Sequence, residues 1–194
     1  MDSETPSAAD QLAPRERILR TAYELFSQRG IRAVGIDEVI ARSGVAKATL
    51  YRHFPSKDRL VLAFLARRER EWTLGRVVAG VRRRGRTPEG RLLAIFDVFD
   101  EWFRGDDFDA CTFVNVLLEM GWKHPLGLAS IEYLGNIRSL VCGMAEEAEL
   151  RDADGFARSW HILMKGAIIS AAEGDADAAL RAKEMARMLI DRHR

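Results

Sequence analysis

Cysteine is scarce in this chain, with two residues in 194, Cys111 and Cys142. Two distant cysteines make no disulfide framework, and no CxxC pair or Cys/His cluster is spaced for a metal. Both are expected as small buried apolar side chains rather than redox groups. No apolar run approaches the roughly 18 residues that a membrane span requires. The opening Met1-Asp2-Ser3-Glu4 is acidic and polar, unlike a secretory leader. A cytoplasmic protein with no membrane partner is the expectation. Period-two alternation is missing, so no strand is expected, and no short internal repeat recurs. No nucleophile–histidine–acid grouping, phosphate-cradling glycine loop or metal pair is present. An enzyme is therefore disfavoured, and no catalytic residue, metal or cofactor is assigned.

What is present is helical periodicity and a charge gradient. The formal net charge is +1. Residues 13–59 hold ten Lys/Arg against five Asp/Glu, and residues 60–91 hold nine against three. Residues 92–194 hold eleven against eighteen. A basic front and an acidic back suit a chain that meets a polyanion with one end. Solvated helix surfaces would give the same charges, and charge alone does not separate the two. The basic loop Arg82-Arg83-Arg84-Gly85-Arg86 reads as a solvated turn, with a second DNA contact as the alternative.

Residues 1–13 lack periodicity and are expected as a disordered arm. Pro14 suits a first helical turn, Ile18, Ala22, Leu25 and Phe26 follow at helical spacing, and Gly30 ends the helix. A second helix is expected over about 36–43, with Ile36, Val39 and Ile40 inward. Gly35 serves as its cap, and Glu38 is placed to reach back to the Gly35 amide. Gly44 supplies the turn, because it accepts a positive φ. A third helix follows to Phe54, with Leu50 and Phe54 inward, and Pro55 stops it. Ser56 caps a long fourth helix running to about Arg83. Further helices are expected from Thr87-Pro88, from about 110 to 120, from His124-Pro125, and over 154–173 and 175–192. The chain reads as all-α with about nine helices.

Residues 36–54 therefore form a helix-turn-helix. Its second helix exposes polar groups fit for phosphates and base edges in a major groove. Lys47 and Arg52 carry positive charge, while Thr49 and Tyr51 can donate to phosphate oxygens. An ordinary three-helix turn with a solvated face is the plainer reading of this pattern.

The residues go further than the pattern. The run Gly44-Val45-Ala46-Lys47-Ala48-Thr49-Leu50-Tyr51-Arg52-His53-Phe54-Pro55-Ser56-Lys57-Asp58-Arg59-Leu60 resembles the signature of TetR-type transcriptional regulators. Ile18-Leu19, Ala22, Phe26, Gly30 and Ile36 to Ala41 resemble that family's first two helices. The resemblance implies a DNA-binding domain at 14–60 and a ligand-binding and dimerisation domain at 61–194. It implies DNA contacts at Lys47, Thr49, Tyr51, His53 and Lys57, with Tyr51, His53 and Lys57 on the backbone. Lys47, Ala48 and Arg52 are assigned to sequence choice. Two positions depart from the family: Ala46 stands where Ser is usual, and Gly35 where Thr or Ser is usual.

The body resembles the family more loosely. Cys111-Thr112-Phe113-Val114-Asn115 is similar to a Cys-x-Phe-x-Asn helix opening, and residues 154–190 to paired dimer helices. An apolar, aromatic effector pocket is expected from Trp72, Phe96, Phe99 and Phe103, with Phe113, Asn115, Met120 and Trp122. Core packing is the plainer reading for each of these residues. Asn115 and His161 stand out as polar groups on apolar helices. Cys111 has no adjacent base to lower its pKa. The helix at 154–173 is apolar on more than one side, with Ile162, Gly166 and Ile169 away from the main stripe. A dimer interface is expected from Trp160, Leu163, Ala167, Ser170 and Ala171, with Ala182, Ala186 and Leu189 from the last helix. The resemblance thus implies a homodimeric repressor on a palindromic double-stranded DNA operator, released by a small-molecule effector. The alternative is an activator or architectural DNA-binding protein without such an effector.

Overall fold

The computed structural model describes residues 13–194, so the arm expected at 1–13 lies outside them except for Ala13. Every regular element among the described residues is helical. The head consists of α1 (Pro14–Arg29), α2 (Ile36–Ser43) and α3 (Lys47–His53). Gly30 closes α1 at φ 80°, its N–H donating to the Phe26 carbonyl. Gly44 turns the chain from α2 to α3 at φ 63°, in the left-handed region that costs glycine little. Arg17 of α1 donates to the Gly44 carbonyl at 2.6 Å and ties that turn to the first helix. Neither Gly35 nor Ala46 supplies a side-chain cap. Glu38 does not turn back to the Gly35 amide: it pairs with Arg29, a charged partner that the first helix brings alongside.

Ser56 caps α4 (Lys57–Arg68) by accepting from the Arg59 amide. The expected connecting helix is continuous but changes pitch. A π-helical segment (Glu69–Val78) follows α4, and α5 (Ala79–Arg84) restores the α register. Counted as one rod, 57–84, it leaves nine helices among the described residues. In the π segment each amide reaches back five residues, so residues five apart come onto one face. Trp72 and Val77 stand in that relation. Val77 enters the body core, and Trp72 stacks toward Phe99 and Trp102. Gly80 lets the rod lie close to the next helix, since a Cβ there would stand 2.8 Å from Val98 Cγ2.

The body adds α6 (Pro88–Phe103), α7 (Thr112–Met120), α8 (Pro125–Glu147), α9 (Ala153–Ala172) and α10 (Ala178–His193). Two apolar cores result. One joins Ile18, Leu25, Val39, Leu50, Phe64 and Leu65 to Phe113, Val116, Leu126 and Leu134. The head core therefore extends past residue 60 and rests on α7 and α8. The other packs Phe96, Phe99 and Trp102 of α6 against Phe156, Trp160 and Met164 of α9 and Ala182, Ala186 and Ile190 of α10. Each large side chain so buried contributes about 1.5–3 kcal/mol before entropy is counted. No helix among the described residues is long and apolar enough to cross a membrane.

Candidate nucleic-acid interface and body chamber

α3 is held from behind and open in front. Leu50 is fully buried and Phe54 is 3% exposed, with the Arg15 guanidinium 5.2 Å from the Phe54 ring centre. Lys47, Ala48, Tyr51 and Arg52 are exposed, and Thr49, His53 and Lys57 are half-buried. Residues three and four apart share a helix face, so Lys47, Ala48, Tyr51 and Arg52 form one outward patch. Lys57 stands just beyond, in the first turn of α4. Lys47 pairs with Asp37 at 3.3 Å, an exposed contact worth little that a phosphate can displace. Of the basic stretch expected as a loop, Arg82, Arg83 and Arg84 form the last turn of α5 and only Gly85 and Arg86 lie beyond it, about 40 Å from the head at ordinary helical rise.

A polar joint fastens this head to the body. Arg68, only 6% exposed, donates to the Tyr23 hydroxyl of α1 at 2.9 Å and to Asp109 at 3.0 Å. Its guanidinium also lies 5.2 Å from the Trp72 ring centre and 5.8 Å from that of Trp102. Burial pushes the Asp109 carboxyl above its ordinary value, against the opposing pull of the Arg68 charge. A second fastening comes from Glu119, whose carboxylate accepts from the amides of Ile31 at 2.9 Å and of Arg32. Sequence reasoning singled out none of Arg17, Tyr23, Arg68, Asp109 and Glu119. One signal was available for Glu119. A carboxylate in the last turn of a helix opposes the dipole by up to about 1 kcal/mol, a cost that a partner elsewhere in the fold offsets.

Two cavities flank the joint. An open cleft of about 890 Å3 lies between head and body, walled in part by Tyr23, Arg76, Asn115 and Glu119. A narrower chamber of about 30 Å3 lies in the body, between the connecting rod and α9. Arg68, Trp72 and Thr112 belong to both walls. Of the side chains expected in an effector pocket, Trp72, Phe99 and Phe113 line the chamber. Asn115 faces the cleft instead. Phe96 is sealed in the body core, and Phe103 packs against that core. Met120 packs on the head core, and Trp122 is 66% exposed beside Lys123.

His161 is the polar residue of the chamber. It is 4% exposed, and burial, Lys165 and Arg138 lower its pKa to about 4, so the ring is neutral at pH 7. Burial raises the Cys111 thiol, which keeps it protonated and poorly nucleophilic. The Cys142 thiol is also raised, by desolvation and by Glu146.

The residues expected at a dimer interface divide into two sets. Trp160, Ala167, Ala182 and Ala186 lie in the subunit's own core. Their small or flat side chains fill the seam between α9, α10 and α6. Leu163, Ser170, Ala171 and Leu189 are half-buried. The outward face of the same helices carries Ile162, Ile169, Met185 and Met188, all exposed.

Known proteins share both the head and the whole outline. Residues 18–64 match the family profile described as bacterial regulatory proteins, tetR family. The HTH-type transcriptional activator FasR of Mycolicibacterium smegmatis is 39% identical over 95 residues, covering 47% of this chain and 41% of FasR. The HTH-type transcriptional repressor KstR of Rhodococcus jostii is 38% identical over 85 residues, covering 44% and 36% respectively. These matches span less than half of either relative's own length. A crystal structure of a TetR-family transcriptional regulator from Streptomyces coelicolor superposes with a TM-score of 0.83 at 27% identity. It covers 93% of this chain and 95% of that one. The head thus carries the tetR-family signature over residues 18–64, and along its length the chain has the outline of a TetR-family transcriptional regulator.

Proposed function

We propose that this protein is a homodimeric repressor that reads a palindromic operator with two copies of α3 and is released by a small effector. The observation that carries the DNA reading is the outward patch of Lys47, Ala48, Tyr51 and Arg52 over the buried anchors Leu50 and Phe54. Lys47, Ala48 and Arg52 face base edges, while Tyr51, His53 and Lys57 meet the backbone. The exposed apolar face of α9 and α10, with Ile162, Ile169, Met185 and Met188, is the surface for the second copy. Two heads then meet half-sites one helical turn apart, about 34–36 Å. The named functions of FasR and KstR differ in sign, and repression is the reading tested first.

The test is binding to labelled DNA from upstream of the protein's own gene. Saturable binding that weakens steeply with salt is expected, because each neutralised phosphate releases counterions. Arg52→Ala and Lys57→Ala should weaken it without changing the fold. Absence of binding at micromolar protein and low salt removes the reading.

An architectural DNA-binding protein without an effector is the second reading, favoured by the tightness of the chamber. Small-molecule sites usually offer about 300–1,000 Å3. A ligand entering a chamber of about 30 Å3 must therefore widen it. That widening is the means by which an effector could move the rod, since Arg68 and Trp72 form both rod and wall.

A further inference from the structure

The chamber differs from an ordinary apolar core in its charge. Among the described residues, the titratable side chains on its wall are Arg68, Cys111, His161 and Lys165, and no carboxylate lines it. Lys165 comes from α9, one turn beyond His161, and pairs with no carboxylate among the described residues. Arg138 of α8 adds positive charge near His161 and bonds only the Leu134 carbonyl of its own helix. His161 is 4% exposed, lines the chamber and forms no hydrogen bond among the described residues, and the indole N–H of Trp72 in the same wall is buried without a partner. Buried polar groups in folded proteins are nearly always satisfied, so an unpartnered one facing a cavity marks a place for a missing partner. The remaining wall is apolar and aromatic, including Trp72, Phe99, Trp102, Phe113 and Met164.

The acids around the outer cleft make a different case. Glu71 is engaged by Arg67, Asp107 by Arg76, Asp109 by Arg68, and Glu119 by backbone amides, while Glu24 and Asp106 add two exposed carboxylates to that wall. In the chamber Arg68 is paired with Asp109, which leaves Lys165 as the wall cation without a carboxylate among the described residues.

We propose that the chamber binds an apolar organic acid, its hydrocarbon or aromatic part against Trp72, Phe99 and Phe113 and its carboxylate held by Lys165, His161 and Arg68. Lys165 supplies the counter-charge, and His161 donates a hydrogen bond from its ring. Arg68 is the member that reports occupancy. A ligand carboxylate at its guanidinium competes with Asp109 and loosens the Arg68–Tyr23 bond to α1. The proposal deepens the effector reading above, and its regulatory consequence rests on that reading. The binding site itself does not, because it is defined without DNA.

The test uses benzoate, 4-phenylbutyrate and octanoate, each against its primary alcohol and primary amine. Binding to the full-length protein is followed by quenching of tryptophan fluorescence, since Trp72 and Trp102 stand in the wall. For at least one scaffold, the carboxylate should bind tenfold or more tighter than its alcohol and amine. Lys165→Met and His161→Gln should each cut that preference to below threefold while leaving alcohol affinity unchanged. Lys165 is partly exposed, so its variant should fold even if the His161 variant does not. No carboxylate preference on any scaffold overturns the proposal. So does a preference that survives Lys165→Met, which would place the anion elsewhere. DNA binding without ligand is measured separately. DNA binding without carboxylate preference removes the site and keeps the regulator. Carboxylate preference without DNA binding supports the site and removes the regulator.

Discussion

The candidate site of the head lies on its outside, and that of the body lies on its inside. Six of the seven candidate DNA contacts fall within α3, a single helix spanning Lys47–His53, and the seventh is Lys57. The chamber instead draws on Arg68, Phe99, Phe113, Leu134 and His161, from five helices spread over nearly a hundred positions. A function carried by consecutive exposed residues can be read from a short segment. A function carried by inward residues of several helices exists only once those helices are packed. The joint between the two regions follows the second rule, since Tyr23, Arg68 and Asp109 meet only in the fold.

Breaking the joint should have the largest effect. Arg68→Met leaves Asp109 without its cation in a partly buried site, and a broken pair of that kind costs about 3–5 kcal/mol. Denaturant unfolding should register that loss, and Asp109→Asn in the same chain should recover part of it. A second variant with no loss would show that head and body are held by apolar packing alone.

The chamber histidine comes next. Its folded pKa of about 4 lies below the unfolded value near 6.5, so between those values the unfolded chain binds more protons. Stability contributed by the neutral ring is therefore present above pH 6.5 and declines as pH falls toward 4. The full loss is roughly 3 kcal/mol at about 1.4 kcal/mol per pH unit. Chemical denaturation at pH 7 and pH 4.5 should show a smaller pH effect in His161→Gln than in the parent. Equal slopes would mean that water reaches the ring and that the chamber is not closed.

Glu119→Gln probes the other fastening. A neutral acceptor replaces a charged one at two amides, and a lowering of about 1–2 kcal/mol is expected. In a chain of this size that is a fall in Tm of about 2–8 °C. Hydrogen exchange should localise the loss to the turn after Gly30, and uniform change across the head would argue against a clamp there.

The smallest effect belongs to the reading helix and has the opposite sign. Ala46→Ser adds a cap where none exists and should raise stability by about 1 kcal/mol. An unchanged melting temperature would mean that α3 is held by Leu50 and Phe54 without help from its first turn. Together with the Glu119 variant, this separates rigidity intrinsic to the head from rigidity lent by the body.

Most of the helices were legible because apolar residues at 3.6-residue spacing, with Gly30, Gly44, Pro55, Ser56 and Pro88 as punctuation, mark ends by local chemistry. The π segment was not, since Trp72 and Val77 are apolar in either register and only the packing partner distinguishes them. Glu38 misled for a related reason: a local cap and the Arg29 pair use the same carboxylate, and the fold supplied the stronger partner. Trp122 and Phe96 were indistinguishable as aromatic residues, yet one is exposed and the other sealed in the core.

By itself, then, the sequence determined an all-helical chain with a helix-turn-helix whose second helix is anchored at Leu50 and Phe54 and exposed on its polar face. Those properties depend on residues within a few turns of one another, where spacing dictates the face. Tertiary structure alone decided that Trp160 and Ala186 belong to the subunit core, that Ile162 and Met188 face outward, and that the chamber carries positive charge without a carboxylate. Such facts depend on which helix faces which, and helical periodicity names an inward face without naming what stands opposite.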